Sequence, residues 1–160
     1  MSKKSLKCIS CESDVKKSLA EIIHEDTFAF LATPPVDIPV GVYCIPCYEN
    51  KVRAQVDRYN DLMEKAKNVN LYYVAQSKES RFVRRKEKTI QITEAASRED
   101  AILLLAFRAV ELGFNAIVDV ELTSKKVRNG GWHYSVWNAT AIPTNIDESY
   151  LNRKNSIETV

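Results

Sequence analysis

All four cysteines of this chain fall into two pairs of identical spacing, Cys8-Ile9-Ser10-Cys11 and Cys44-Ile45-Pro46-Cys47, separated by residues 12–43. Two residues between thiols let each pair wrap a tight knuckle with both sulfurs aimed at one centre. Two knuckles complete a tetrahedron of thiolates around Zn²⁺. Cys8, Cys11, Cys44 and Cys47 are therefore the expected metal ligands, and Zn²⁺ the expected cofactor. Four protein ligands keep no coordination position open for a substrate, so the expected role of the metal is structural. Thiolates accept iron or cadmium as well.

Other uses of the thiols are weighed against this one. Buried small hydrophobes would not fall into two matched pairs, and disulfides are disfavoured in a chain that reads as cytosolic. The Cys44/Cys47 pair at a helix start is similar to a thioredoxin-type redox pair, which stands as a second alternative, although it leaves Cys8 and Cys11 without a use. His24 imitates the third ligand of a two-Cys two-His finger, but the second histidine is missing, and His24 reads as a surface helix residue.

Directly after Cys47 comes Tyr48-Glu49-Asn50-Lys51-Val52-Arg53, which opens a helical stretch. Backbone N–H groups at a helix start carry partial positive charge and offset part of the charge of a four-thiolate centre, with Lys7, Lys51 and Arg53 as candidate helpers. A first knuckle, a Pro-containing extended segment and a second knuckle leading into a helix resemble the treble-clef and zinc-ribbon families over residues 8–67. Within that span, Ser13 or Asp14 is the expected cap of a short helix with Val15, Leu19 and Ile22 on one face. A short strand is expected at residues 28–31, then an extended edge at 36–43. From Tyr48 to Lys67 the stripe Val52, Val56, Tyr59, Met63 and Ala66 predicts a helix lying on the fold behind it.

The second half alternates differently. Strands are expected at 71–74 and 89–93. Ser97-Arg98-Glu99-Asp100 then caps an apolar helix that Gly113 stops. Its thin polar stripe, Asp100, Leu104, Arg108 and Glu111, implies burial of most of its surface, with Leu104 exposed as a candidate subunit contact. A strand over 116–122 continues to Asn129-Gly130-Gly131, a hairpin signal, and returns over 134–142 before Pro143. The pattern predicts an α+β fold: a two-layer domain with a mostly antiparallel sheet and one long buried helix.

Leu112-Gly113-Phe114-Asn115-Ala116-Ile117-Val118-Asp119 resembles the LGANAIVG signature of the YbjQ-like putative heavy-metal-binding family, and Ala139-Thr140-Ala141-Ile142 its closing GTAV. The likeness covers about residues 71–143 and implies a small α+β fold that often assembles into rings. Phe114, Asp119 and Ala139 depart from the family pattern, the last two at glycine positions. Gly113 and Asn115 both suit a positive φ at a helix exit.

The organisation expected is thus a four-cysteine zinc module at 1–47, a connecting helix at 48–68, an α+β YbjQ-like domain at 69–143 and a loose tail at 144–160. With 45% hydrophobic and 28% charged residues, the chain has the material for two small cores. No apolar run approaches the ~18–20 residues of a membrane span, and the polar N-terminus lacks an apolar core behind it, so a cytoplasmic chain without membrane contact is expected. Phosphate loops, dinucleotide fingerprints and nucleophile elbows are missing, and no catalytic residue or enzymatic activity is expected. A formal charge of +2 names no partner. Candidate partners are a second copy, another protein or a nucleic acid. The last rests on Lys78, Arg81, Arg84, Arg85, Lys86 and Lys88, and on a hairpin carrying Lys125, Lys126, Arg128, Trp132 and Trp137, where cations stand beside stackable rings.

Overall fold

Pairing of short extended segments, rather than a helix, follows the first knuckle. The computed structural model describes residues 5–147. In it, β1 (Leu6–Lys7) and β2 (Asp14–Val15) pair antiparallel with Leu6 opposite Val15. After a 3-10 turn at Lys17–Leu19, β3 (Ala20–Ile23) pairs antiparallel with β4 (Gly41–Cys44), placing Ala20 opposite Cys44. The helix expected after Cys11 is therefore not formed. Ile22 and Ile23 are β-branched and alternate across a strand, Ile23 buried and Ile22 46% exposed, because this segment supplies the backbone on which β4 is laid. Residues 28–31 make turns instead of a strand. Phe28 turns inward there, its ring edge-on to Tyr59 at 5.6 Å.

One continuous helical run leaves β4: α1 (Ile45–Cys47), a π turn (Tyr48–Val52) and α2 (Arg53–Lys67). Pro46 lies in its first turn, where a missing N–H breaks no helical bond. The expected stripe is realised in part as drawn. Val52, Val56 and Tyr59 close on Ile23, Phe28, Ile38 and Tyr43 to make a small core.

The chain divides between Asp61 and Leu62, within α2, into two compact units. In the second, β5 (Asn70–Tyr73), β6 (Ile90–Ala95), β7 (Ala116–Asn129) and β8 (Trp132–Thr144) form a sheet in the order β5-β7-β8-β6. Only β5 and β7 run parallel, so the fold is α+β with a mostly antiparallel sheet. Helix α3 (Arg98–Glu111) begins at Ser97, whose hydroxyl accepts the Asp100 N–H at 3.0 Å, and stops before Gly113 at φ +90°. It lays Ala101, Leu105 and Ala109 on Ile92, Ile117, Val120, Ala139 and Ala141. Leu104 packs half-buried at the edge of this core and is not the exposed contact residue its place on the polar stripe suggested.

Tyr72, Ala116 and Val118 pack with Val83 and Ile146 in a second cluster. Two features hold it. The register of β7 on β8 shifts between Val118 and Glu121, and Asp119 sits there at φ 52°. Its carboxylate accepts two bonds from Arg85, Nε to Oδ2 at 2.6 Å and Nη2 to Oδ1 at 3.0 Å, while the same guanidinium donates to the carbonyls of Ser80 and Val83. Asn115 is not in the positive-φ region; its amide instead clamps Ile146, donating to its carbonyl and accepting its N–H, both at 2.8 Å. Consequently β8 runs through Pro143 to Thr144 and Ile146 is buried, so residues 144–147 are held rather than loose. The remainder of the expected tail, 148–160, lies outside the described residues.

Candidate metal centre

Each knuckle is set by backbone bonds that the cysteine spacing alone does not supply. The Cys8 N–H donates to the Ser13 carbonyl at 2.9 Å, and the Glu12 N–H to the Cys8 carbonyl at 2.8 Å, with Glu12 itself in the left-handed region at φ 61°. The Ile9 N–H donates to the Val42 carbonyl at 2.8 Å, tying the first knuckle to β4, the strand that ends in Cys44. At this crossing Gly41 has φ +154°, and a Cβ there would lie 2.9 Å from Ile9 Cδ1. The backbone angle calls for glycine, while the contact itself is with a side-chain tip that can turn aside.

Two sequence-distant pairs thereby converge. The sulfurs of Cys8, Cys11, Cys44 and Cys47 all lie within 4.8 Å of one another, with Cys11 Sγ and Cys44 Sγ 3.7 Å apart. A tetrahedron with Zn–S bonds of ~2.3 Å has edges of about 3.8 Å. The donor set therefore fits a four-thiolate zinc centre, and every cysteine is a free thiol. Cys8 is buried, Cys44 and Cys47 are half-buried and Cys11 faces solvent.

The sulfurs are electrostatically unequal. Burial opposes ionisation of Cys8, but backbone hydrogen bonds from Cys44, Cys11 and Ser10 outweigh it and bring the thiol down to about 6. Ser13, through its hydroxyl at 2.9 Å and then its backbone, lowers the Cys11 thiol. Hydrogen bonding to Cys44, followed by burial and by Cys11, pushes Cys47 up to about 12. Four thiols this close cannot all ionise without a cation among them.

Neighbours expected from sequence divide. Lys51 donates to the Ser10 hydroxyl and so braces the first knuckle, whereas Arg53 is drawn to Glu49 at 2.6 Å and Asp57 at 3.9 Å on its own helix. Lys7 pairs in register with Asp14 in the β1–β2 ladder. His24 is exposed in a turn, where its N–H donates to Thr27 Oγ1, and it is not among the converging groups. Ser10 and Ser13 are partners that sequence reasoning missed. Their positions inside and just after Cys8-Ile9-Ser10-Cys11 were the available signal, since hydroxyls at knuckle turns reach nearby sulfur and backbone.

The candidate nucleic-acid residues also separate. Arg85 is spent on Asp119, Ser80 and Val83, and Trp137 packs half-buried against the core under α3. Packing is the common duty of a tryptophan in a strand, whereas the tie of Arg85 to Asp119 has no signal in the sequence. Lys78, Arg81, Arg84, Lys86 and Lys88 are exposed along the segment before β6, and Lys125, Lys126, Arg128 and Trp132 are exposed at the far end of the β7–β8 hairpin. Among the described residues, no helix is long and apolar enough to cross a membrane.

The chain matches no protein-family model, no curated protein and no solved structure. The class that fold and site define is a two-unit α+β chain whose first unit carries a four-cysteine centre suited to a metal ion.

Proposed function

We propose that residues 8–67 form a treble-clef-like zinc module whose metal is structural, and that the chain is a non-enzymatic scaffold or interaction protein. The observation that carries this is the convergence of four sulfurs from two distant knuckles to within 4.8 Å of one another. A knuckle, a β-hairpin and a helix that begins at the second cysteine pair are the parts such a module needs. Bound metal contributes ~10 kcal/mol or more of apparent binding energy, as much as the whole stability of a small domain.

Thiol redox chemistry at Cys44 and Cys47 is the weaker reading. Cys44, the first thiol of the pair, has a third sulfur, that of Cys11, at contact distance, and redox use of the pair leaves Cys8 and Cys11 without a role. Reduced zinc thiolates suit a reducing compartment such as the cytoplasm. For the second unit, membership of the YbjQ-like pattern is supported by backbone angles: Gly113 at +90° and Asp119 at +52° stand where that signature carries glycine.

Elemental analysis combined with native mass measurement of the purified chain tests the reading. One zinc per chain is expected, falling well below one in Cys44→Ser. Metal-free protein whose first unit is ordered, or full stoichiometry in the serine variant, removes the proposal.

A further inference from the structure

The two long strands β7 and β8 outrun their sheet. Pairing with β5 ends at Val120 and pairing with β6 ends at Trp137, yet β7 and β8 stay paired from Lys125 opposite Val136 out to Asn129 opposite Trp132. Beyond the sheet they form a two-stranded arm whose faces follow from the alternation of side chains along a strand. One face carries Trp132, Tyr134, Val127, Val136 and Lys125. The other carries Arg128, Lys126, His133 and Ser135.

Trp132 is 81% exposed and Tyr134 49% exposed, although rings of this size gain most from burial. Lone exposed apolar residues are ordinary, but two aromatic and two β-branched side chains on one face of a projecting arm are a contact surface. The occupant is indicated by charge. Lys125, Lys126 and Arg128 stand on the arm, and residues 122–146 contain no carboxylate. A second copy of the arm would bring cations onto cations, whereas a polyanion with flat apolar groups meets both the charge and the rings.

We propose that this arm binds single-stranded nucleic acid, bases stacking on Trp132 and Tyr134 and phosphates taken by Lys125 on the same face and, where the strand passes round the arm's edge, by Lys126 and Arg128 of the other face. The two rings are two residues apart on one strand, about 7 Å, so each takes a separate base. Beside Tyr134, Val127 and Val136 a concavity of about 400 Å³ is lined also by Ser135, by Ala96 and by Glu94, a carboxylate at the ring face. The basic segment 78–88 does not line this concavity, and its Arg85 is already committed to Asp119.

The test is anisotropy of labelled oligothymidylate and oligouridylate with the full zinc-loaded chain. Three phosphate contacts predict a log–log salt slope of about −2, hence roughly 15- to 20-fold weaker binding between 50 and 200 mM salt. Trp132→Ala should weaken binding roughly tenfold, Glu94→Gln should strengthen it, and Lys125→Gln with Lys126→Gln should flatten the slope by more than half. Circular dichroism checks that each variant is folded. The proposal is overturned by absence of binding at 50 mM salt, by binding that Trp132→Ala leaves unchanged, by equal or better binding of duplex, or by an arm that sediments with phosphatidylserine vesicles while ignoring oligonucleotide. A dimer in native mass spectra that Trp132→Ala dissolves would also overturn it, by making the face a self-association surface.

Discussion

At the scale of single residues, the proposed zinc centre sets protons and metal in competition for sulfur. Cys47 is held up at about 12 by its neighbours and keeps its proton at neutral pH until a cation displaces it, while Cys8, at about 6, is already ionised there. Metal loading must therefore release protons, and affinity must rise with pH. Titration with a chromophoric zinc indicator should show affinity falling as pH is lowered, and falling more steeply below about 6, where Cys8 takes up its proton too. Affinity independent of pH would mean that the thiols do not bind the metal. Asp119 gives a second residue-level test. Its φ of 52° is strained for any residue with a Cβ, but its carboxylate holds Arg85 by two bonds. Both Asp119→Ala and Asp119→Gly lose the ion pair; only glycine relieves the backbone. Denaturant unfolding should find Asp119→Gly more stable than Asp119→Ala by about 1 kcal/mol.

At the scale of elements, legibility follows the range of the forces involved. Helix α3 is specified locally, by Ser97 at its cap, Glu99 and Asp100 in its first turn and Gly113 past its end, and it forms where the sequence places it. Ser97→Ala removes the acceptor of the Asp100 N–H and should lower stability by ~1 kcal/mol in urea unfolding, with the slope of the transition unchanged. The segment after Cys11 shows the opposite case. Val15, Leu19 and Ile22 satisfy a helical spacing, yet Val15 pairs with Leu6, Leu19 ends a 3-10 turn and Ile22 lies in β3, because pairing with β1 and with the strand bearing Cys44 overrides a weak local preference. A short apolar pattern of this kind fits helix and strand alike. The β7–β8 hairpin was signalled by Asn129-Gly130-Gly131, and Gly130 takes the left-handed φ of 61° such a turn demands. Its reach past the sheet was not signalled, since strand length depends on where the neighbouring strands end.

At the scale of the whole molecule, two units with separate cores make separate thermodynamic predictions. The first rests on Ile23, Phe28, Ile38, Tyr43 and Val52, a small core for a segment of this length. The second owns the clusters around Leu105 and around Val118. Stripping metal with a strong chelator should abolish the cooperative melt of the first unit and leave the second unit's transition in place, as followed by calorimetry and amide exchange. A single transition that the chelator does not move would show that the metal adds nothing to folding.

From the sequence alone came the four cysteines that converge, the α+β class, the capped helix and the hairpin turn, since each is written in nearest neighbours or in a fixed spacing of chemically distinctive side chains. Tertiary structure decided the rest: that Ser13 and Lys51 brace the first knuckle, that Arg85 locks onto Asp119, that Asn115 clamps Ile146, and that Trp137 is packed while Trp132 is left bare. Those outcomes depend on which distant strands meet and in what register. A one-residue slip exchanges the faces of a strand, so burial at Trp132 or Trp137 is fixed only once the sheet has formed.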